Sequence, residues 1–234
     1  DTSKDYEVTM VFGHETTTDD LEGDTTESAD HMPSEDEIVA ALPAFTGPIS
    51  QVPPAYSAIK IDGERAYDVA RRGDEVVLQA REVVIHTLEL AEYDCEEKSA
   101  SLRVCCGKGT YIRSLARDLA RYLNARAHVT KLRRTRVGPF GLDQAISLPI
   151  SLENGGDLSH SARSVGHPLE VMTALDDIPA LAITDSQATL IRQGQTLEGS
   201  QAQPGTLTLI CGGQLVAVAE NDGAVIRSLR VFNL

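Results

Sequence analysis

Hydrophobic and polar residues alternate along the first patterned segment of the chain. From Tyr6 to Phe12 every second residue is apolar, which is typical of a strand with one buried face. The polar segment that follows, from Gly13 to Gly23, is rich in Thr and Asp. It lacks the alternating ligands and distal glutamate of a calcium loop, so we expect a solvated loop here.

Apolar residues recur at helical spacing in three later segments. Ser34 and Glu37 fit a capping box, and Pro43 ends the helix that they begin. A short helix follows at about residues 66–72, with Gly73 as its terminator. The clearest case begins at Thr110, where the buried stripe is formed by Ile112, Leu115, Ala116, Leu119 and Leu123.

The remaining patterned segments predict strands and a division into domains. Strands are expected at residues 57–61, 82–93 and 100–106, and at 207–211, 214–219 and 225–232 near the end of the chain. The last three suggest a small all-β module. Residues rich in Ser, Asn, Gly and His precede it, so we predict a domain at 1–150, a linker at 151–168 and a second domain at 169–234.

Positive charge is concentrated in residues 103–136. This window holds ten of the chain's 21 Lys and Arg with Asp118 as its one acid, so its charge is +9 while the other 200 residues sum to -23. Such segregation predicts a cationic surface that attracts a polyanion. Within it, Arg113, Arg117, Arg121 and Arg126 lie off the apolar stripe of the predicted helix.

Several function classes find no support in the sequence. No segment has the length and apolarity of a membrane span or a secretory signal, which predicts a cytoplasmic protein without a membrane partner. The four cysteines have no metal-ligand spacing, no His triad or G-x-S-x-G is present, and we expect neither a metal nor a cofactor. Gly107-Lys108-Gly109-Thr110 could cradle a phosphate, but it lacks the nucleotide-binding spacing and is more typical of a tight strand-to-helix turn.

Four sequence blocks together resemble the bacterial TruB family, the tRNA pseudouridine-55 synthases. The blocks are QVPPAYSAIK (51–60), GERAYDVARRG (63–73), KGTYIR (108–113) and LRRT (132–135). The resemblance extends from Lys4 to about Phe140, and the tail resembles the PUA-like module of that family. It implies a mixed α/β pseudouridine-synthase fold, with a largely antiparallel sheet flanked by helices, plus a small β-rich C-terminal domain.

The resemblance also implies a reaction and a set of residues. Members of the family isomerise a flipped-out T-loop uridine of tRNA, without metal or cofactor, and we expect the present protein to be a monomer. By motif, Tyr6 stacks on the base and contributes to proton transfer, Tyr111 and Leu132 line the pocket, and Arg113 pairs with the catalytic aspartate. Contacts with RNA phosphates are expected from Lys60, Lys108, Arg133 and Arg134, and also from Arg136.

One element of the family's pattern is absent from the sequence as given. The nucleophilic aspartate of the family lies in a Gly-His-x-Gly-x-Leu-Asp-Pro motif well before the tyrosine that corresponds to Tyr6, whereas five residues precede Tyr6 here. Neither Asp1 nor Asp5 lies in that motif. We therefore expect an N-terminal truncation of a normal enzyme, with the chain as given inactive. A non-catalytic RNA-binding or tRNA-folding protein on the same scaffold is the alternative, and a phosphate-loop nucleotide binder is a more distant one.

Overall fold

The computed structural model describes residues 2–61, 63–74, 76–145, 170–199 and 203–233. The chain divides into two compact units, Asp1–Ala145 and Ile146–Leu234. The predicted linker at 151–168 lies outside the described residues, so the predicted domain boundaries stay predictions. Within the described ranges, none of the helices combines the length and apolarity that a membrane crossing requires.

The first unit is built on one antiparallel sheet. Its strands are β1 (Lys4–Phe12), β4 (Gly47–Gln51), β7 (Arg81–Asp94), β8 (Ser99–Cys106), β9 (Ala127–Val137) and β10 (Phe140–Gly141). Their order is β10-β9-β1-β8-β7-β4, and all of these neighbours are antiparallel. Two small hairpins accompany the sheet: β2 (His14–Thr16) pairs with β3 (Thr25–Ser28), and β5 (Lys60–Ile61) pairs with β6 (Glu64–Arg65).

Helices cover one face of this sheet. Two of them, α1 (Glu35–Ala41) and α3 (Ile112–Tyr122), contact its strands, whereas α2 (Ala66–Arg71) contacts the small strand β6. Ile112, Leu115 and Leu119 of α3 share one buried cluster with Val8 and Met10 of β1, so the apolar stripe of the helix packs on the apolar face of the strand. The predicted helices are confirmed, including the Ser34–Glu37 capping box of α1.

One strand prediction for the first unit needs correction, and several strands were not predicted. The strand expected at 57–61 is limited to Lys60–Ile61, because the backbone N–H of Tyr67 and that of Ala66 donate to Ser57 O and Ile59 O and fold the segment onto the start of α2. Strands β4 and β9 were not predicted. β4 begins with Gly47-Pro48, two residue types that are unusual in strands. In β9, the consecutive exposed residues 131–134 obscure the alternation of apolar and polar residues.

The second unit is a five-stranded sheet with a helix. Its strands are β11 (Ala180–Ala182), β12 (Leu197–Glu198), β13 (Gly205–Cys211), β14 (Gln214–Asn221) and β15 (Val225–Val231), in the order β11-β13-β14-β15-β12. The three predicted strands near the end of the chain are confirmed, but the all-β description is wrong. Helix α4 (Asp185–Arg192) begins at a Thr184–Gln187 capping box and buries Ala188 and Ile191.

Candidate active site

The turn between β8 and α3 places Tyr111 and Arg113 at one end of the helix. Gly109 has φ +82°, a left-handed conformation that suits glycine, and the hydroxyl of Thr110 donates to Gly107 O at 3.1 Å. The segment 107–110 is therefore the tight turn that its sequence indicated. Tyr111 is the N-cap residue of α3, and its N–H donates to Oε1 of the buried Gln51 at 2.8 Å.

The guanidinium of Arg113 is held by three acceptors from two different segments. Nη1 donates to Thr18 O at 2.8 Å and to Oδ2 of Asp20 at 2.7 Å, while Nη2 donates to Tyr56 O at 2.8 Å. The side chains of Arg113 and Asp20 are 22% and 26% exposed, so the pair sits at the edge of solvent rather than on the open surface. A charged hydrogen bond of this length is a strong one.

Part of the Arg113 guanidinium remains available to a further acceptor. An arginine carries five N–H donors, and the three bonds above use both hydrogens of Nη1 and one of Nη2. Among the described residues, Nε–H and the second hydrogen of Nη2 have no hydrogen-bond acceptor. One carboxylate can bind to such a pair of donors side by side.

Asp20 belongs to a segment, residues 15–20, that runs antiparallel to α3 and matches its arginines one by one. Arg117 Nη1 donates to Asp19 Oδ2 at 2.9 Å, and Arg121 donates from Nε and Nη2 to the two oxygens of Glu15 at 2.7 and 2.5 Å. Arg113, Arg117 and Arg121 are spaced by four residues and therefore lie on one stripe of the helix. We call these three ion pairs the α3 ladder.

The ladder overturns the prediction of a solvated loop at 13–23. The side chains of Asp19 and Glu15 are 8% and 3% exposed, because each carboxylate is covered where it meets its arginine. Burial raises the pKa of Asp19 to about 6, against the opposing effect of Arg117. Hydrogen bonding to Glu15 raises the pKa of Arg121.

The same ion pairs reduce the positive charge of the cationic surface that was predicted for residues 103–136. Five arginines of this window bind carboxylates within the protein: Arg113, Arg117, Arg121, Arg126 and Arg136. Their partners come mostly from the acidic segments that sequence counting assigned to the rest of the chain. Arg136, for which a phosphate contact was expected, binds both oxygens of Asp5 at 2.7 and 2.8 Å, and this bond is the main reason that the pKa of Asp5 is lowered.

Tyr6 and Leu132 lie on the face of the sheet that α3 covers. Tyr6 is half-buried and packs against the core that includes Ile112. In the β1–β9 register, Leu132 pairs with Val8 and Arg134 pairs with Tyr6. Paired residues of antiparallel strands share a face, so all four side chains belong to the side of Val8, with Leu132 47% exposed.

The other predicted RNA-contacting residues are spread over the first unit. Arg133 is exposed and pairs with Glu7, on the sheet face opposite to that of Leu132. Lys60 is exposed in β5 and pairs with Arg65, and Lys108 is exposed in the turn before α3. The structure thus groups Tyr6, Tyr111, Arg113, Leu132 and Arg134 on one side of the sheet and places Arg133 on the other.

Sequence reasoning missed the residues that hold Arg113 and Tyr111 in place. These are Gln51 and Asp20, with the carbonyls of Thr18 and Tyr56. A signal was present, because three arginines at a spacing of four need counter-charges if one side of that helix is buried, and Glu15, Asp19 and Asp20 are the acids of a nearby polar segment. Nothing in the sequence fixed which acid meets which arginine.

Comparison with known proteins gives a consistent family. A sequence model described as TruB family pseudouridylate synthase (N terminal domain) matches residues 1–112, and one described as tRNA pseudouridylate synthase B C-terminal domain matches residues 113–152. The chain is 44% identical to tRNA pseudouridine synthase B of Caulobacter vibrioides over 245 residues, spanning 100% of this chain and 77% of that protein. It is 45% identical to the protein of the same name from Bradyrhizobium diazoefficiens, over 100% of this chain and 69% of that protein.

Solved structures with a similar fold are more distant in sequence. A Cbf5–Nop10–Gar1 complex contains a chain that matches with a TM-score of 0.64 at 21% identity, covering 99% of this chain and 67% of that one. An H/ACA RNP bound to a substrate RNA containing 2'-deoxyuridine matches with a TM-score of 0.63 at 20% identity, covering 99% and 66%. At this identity the likeness establishes the fold.

Proposed function

Because the chain belongs to the TruB family of pseudouridylate synthases, we propose that it converts a uridine of tRNA to pseudouridine, and that this uridine is the one at position 55 of the T loop. The expected fold class, a mixed α/β pseudouridine-synthase fold with a small β-rich second unit, is the one observed. The family also makes the protein an isomerase.

The proposed reaction is an isomerisation in which no atom is lost from the nucleoside as a whole. The bond between C1' and N1 breaks, the base rotates, and a bond forms between C1' and C5. C5 then loses its proton and N1 gains one. No oxidant or reductant is involved. The base must first leave the stack, at a cost of roughly a few kcal/mol, so the site has to replace the lost stacking and to shed a proton.

Tyr6, Tyr111 and Leu132 are the residues that we assign to the flipped base. Stacking on an aromatic face contributes roughly 1 to 3 kcal/mol per base, and Tyr6 is half-buried on the α3 side of the sheet. Leu132, exposed on the same side, offers an apolar surface close to Tyr6 in the β1–β9 register. Tyr111 is the N-cap residue of α3, the helix that packs on this side of the sheet.

Arg113 supplies the observation on which this proposal mainly rests. Its guanidinium is fixed by Asp20, Thr18 O and Tyr56 O, and it retains two N–H donors without acceptors among the described residues. A fixed guanidinium can hold a second carboxylate in one geometry and keep it ionised. We therefore assign Arg113 the role of binding the family's catalytic aspartate, while Asp20 is the acid that orients Arg113.

Arg134 is the arginine that we assign to the RNA backbone beside the pocket, because it pairs with Tyr6 across β1 and β9. Lys60, Lys108 and Arg133 are proposed as further phosphate contacts at a greater distance from the base. Such contacts supply affinity and orientation rather than sequence discrimination. We also propose that the protein acts in the cytoplasm as a monomer without a cofactor, and that the second unit is PUA-like.

Modification of a tRNA transcript tests the proposal. Protein expressed from the whole reading frame is incubated with transcripts that carry tritium at C5 of uridine, because formation of the new carbon bond releases that tritium. We expect release of one equivalent per tRNA, and none from a transcript with cytidine at position 55. Tight tRNA binding without tritium release would instead support a non-catalytic tRNA-binding protein.

A further inference from the structure

The second ion pair of the α3 ladder, Arg117–Asp19, lies one helical turn after Arg113. Arg117 follows Arg113 by four residues on α3, and its guanidinium donates to Asp19 Oδ2, to Val52 O and to Asp118 Oδ1, each at 2.9 Å. The side chains of Arg117 and Asp19 are 11% and 8% exposed. This is the most buried of the ladder's ion pairs when both partners are considered.

Asp19 adopts a backbone conformation that brings two acceptors to one atom of Arg113. Its φ is +61°, a left-handed value that is uncommon outside glycine and that aspartate tolerates better than most residues. At this reversal, the carbonyl of Thr18 and the carboxylate of Asp20 both accept from Arg113 Nη1. The backbone of Asp19 is fixed as well, because its carbonyl accepts from the N–H of Val129 at 3.0 Å.

Arg117 also restrains the other segment that binds Arg113. Its Nη2 donates to Val52 O, and Ser114 on the same helix donates to that carbonyl at 2.9 Å. Tyr56, whose carbonyl accepts from Arg113 Nη2, lies four residues further along this segment. The buried guanidinium of Arg117 therefore contacts both chain segments that supply hydrogen-bond acceptors to Arg113.

We propose that Arg117 and Asp19 form a positioning pair that sets the orientation of Arg113, so that their contribution to the reaction appears in the rate of isomerisation and not in tRNA affinity. The inference rests on the proposed function, because it takes Arg113 as the residue that binds the catalytic carboxylate. Because both side chains are buried, the proposal assigns Arg117 and Asp19 no contact with base or phosphate. A displacement of about 1 Å at a reacting group can cost a factor of about a hundred in rate.

If Asp19 positions Arg113 through Arg117, the isomerisation rate should depend on the ionisation of Asp19. Arg113, Arg117 and Arg121 from α3 favour its ionised form, whereas burial and Glu15 from β2 oppose ionisation and raise its pKa to about 6. Protonation of Asp19 below this pH removes one of the two carboxylate charges that hold Arg117, the other being Asp118. Isomerisation by the wild-type protein should therefore lose rate as the pH falls through about 6, and Asp19→Asn should remove this step.

Single-turnover kinetics and tRNA affinity, measured on protein from the whole reading frame, test the positioning pair. We expect Arg117→Met and Asp19→Asn to lower the single-turnover rate about tenfold to a hundredfold with the dissociation constant of tRNA within about twofold of wild type. Arg117→Lys should recover part of the rate, because an ammonium can pair with Asp19 but cannot reproduce all three bonds. Arg121→Gln is the matched control, one turn further from Arg113, and should leave the rate within about twofold, since Arg126 still lies 3.5 Å from Glu15.

The double variant Asp19→Asn, Arg117→Met guards against loss of the fold, because it leaves no unpaired buried charge. It should show about the same rate loss as either single variant. Wild-type rates in folded Arg117→Met and double-variant proteins would overturn the proposal, as would equal losses of rate and tRNA affinity or a pH step that persists in Asp19→Asn.

Hydrogen exchange at the backbone amides of Asp19 and Val129 tests the positioning pair without depending on the activity of the protein. Exchange at both amides should be faster in Arg117→Met and unchanged in Arg121→Gln, whatever the activity of the wild-type protein. An inactive wild-type protein with these exchange rates would contradict the proposed function alone. Unchanged exchange in Arg117→Met would overturn the positioning pair even in an active enzyme.

Discussion

Arg117 Nη1 lies 2.9 Å from Asp19 Oδ2 in the interior of the first unit, one helical turn from Arg113. The pair joins a segment near the start of the chain to a helix much later in it, because the two residues are 98 positions apart. The position of Arg113 therefore depends on tertiary contacts as well as on its own helix.

The stability of the protein should depend on pH through Asp19. Its folded pKa of about 6 lies above the usual value of 3.8, so between these values the folded state binds the proton and the unfolded state does not. Stability contributed by Asp19 is then fully present below about pH 4 and is lost as the pH rises through 6, with a total of about 3 kcal/mol as an upper value. Chemical denaturation at pH 7.5 and pH 4.5 measures the free energy of unfolding of the wild type and of Asp19→Asn. The wild type should become more stable relative to Asp19→Asn at the lower pH. A difference that is the same at both pH values would contradict this.

Protonation of Asp19 should have opposite effects on the stability of the folded state and on the rate of isomerisation. Protonation of Asp19 should stabilise the folded state while it slows isomerisation, because the neutral acid is easier to bury and holds Arg117 less well. A loss of rate at low pH that accompanied unfolding would come from other groups.

The salt dependence of tRNA binding should distinguish arginines of similar position in the sequence. Arg134→Gln should lower the slope of log affinity against log salt by about 1, because a phosphate contact releases counterions. Arg121→Gln should leave the slope unchanged, since Arg121 already binds both oxygens of Glu15. Equal slope changes in the two variants, measured by filter binding over a range of potassium concentrations, would contradict this assignment.

The core should respond to truncation according to burial. Leu119→Ala in α3 should cost about 2 to 5 kcal/mol of unfolding free energy, because Leu119 is 0% exposed in the main cluster. Leu142→Ala, at a leucine that is 41% exposed, should cost less than about 1 kcal/mol. Urea denaturation measures both values, and a cost at Leu142 that matched that at Leu119 would contradict the placement of the core.

Local periodicity allowed β1, α1 and α3 to be predicted from the sequence, because each has an apolar stripe of the right spacing and α1 has its capping box. The same approach missed β9, whose outer half carries Lys131, Leu132, Arg133 and Arg134 as exposed residues. Its strand character comes from pairing with β1 and β10, which a single sequence does not reveal.

The site was predicted as a set of residue types and not as an arrangement. Tyr111 and Arg113 were identified because the block KGTYIR (108–113) resembles a motif of the family, which is local sequence information. The burial of Asp19, the pairing of Asp20 with Arg113 and the contact of Gln51 with Tyr111 all depend on long-range packing. For the same reason, counting charges along the sequence overstated the cationic surface.

Arg113 should be needed for the reaction far more than for binding. Arg113→Lys should reduce the isomerisation rate by about a hundredfold or more, because an ammonium cannot occupy three acceptors and a second carboxylate at once. The dissociation constant of tRNA should change little. Arg133→Ala, on the opposite face of the sheet, should show the reverse pattern, with weaker binding and a nearly unchanged rate at saturation; equal loss of tRNA binding in the two variants would argue against this division of roles.

The position of the modified nucleotide is the strictest test of the proposed function and of the role of Arg113. Protein from the whole reading frame is incubated with an unmodified tRNA transcript, and pseudouridine is located by carbodiimide labelling and primer extension. We expect one pseudouridine, at position 55 of the T loop, formed by the wild type and lost with Arg113→Lys under conditions where that variant is folded. Modification at another position, or at position 55 with undiminished rate in Arg113→Lys, would contradict this expectation.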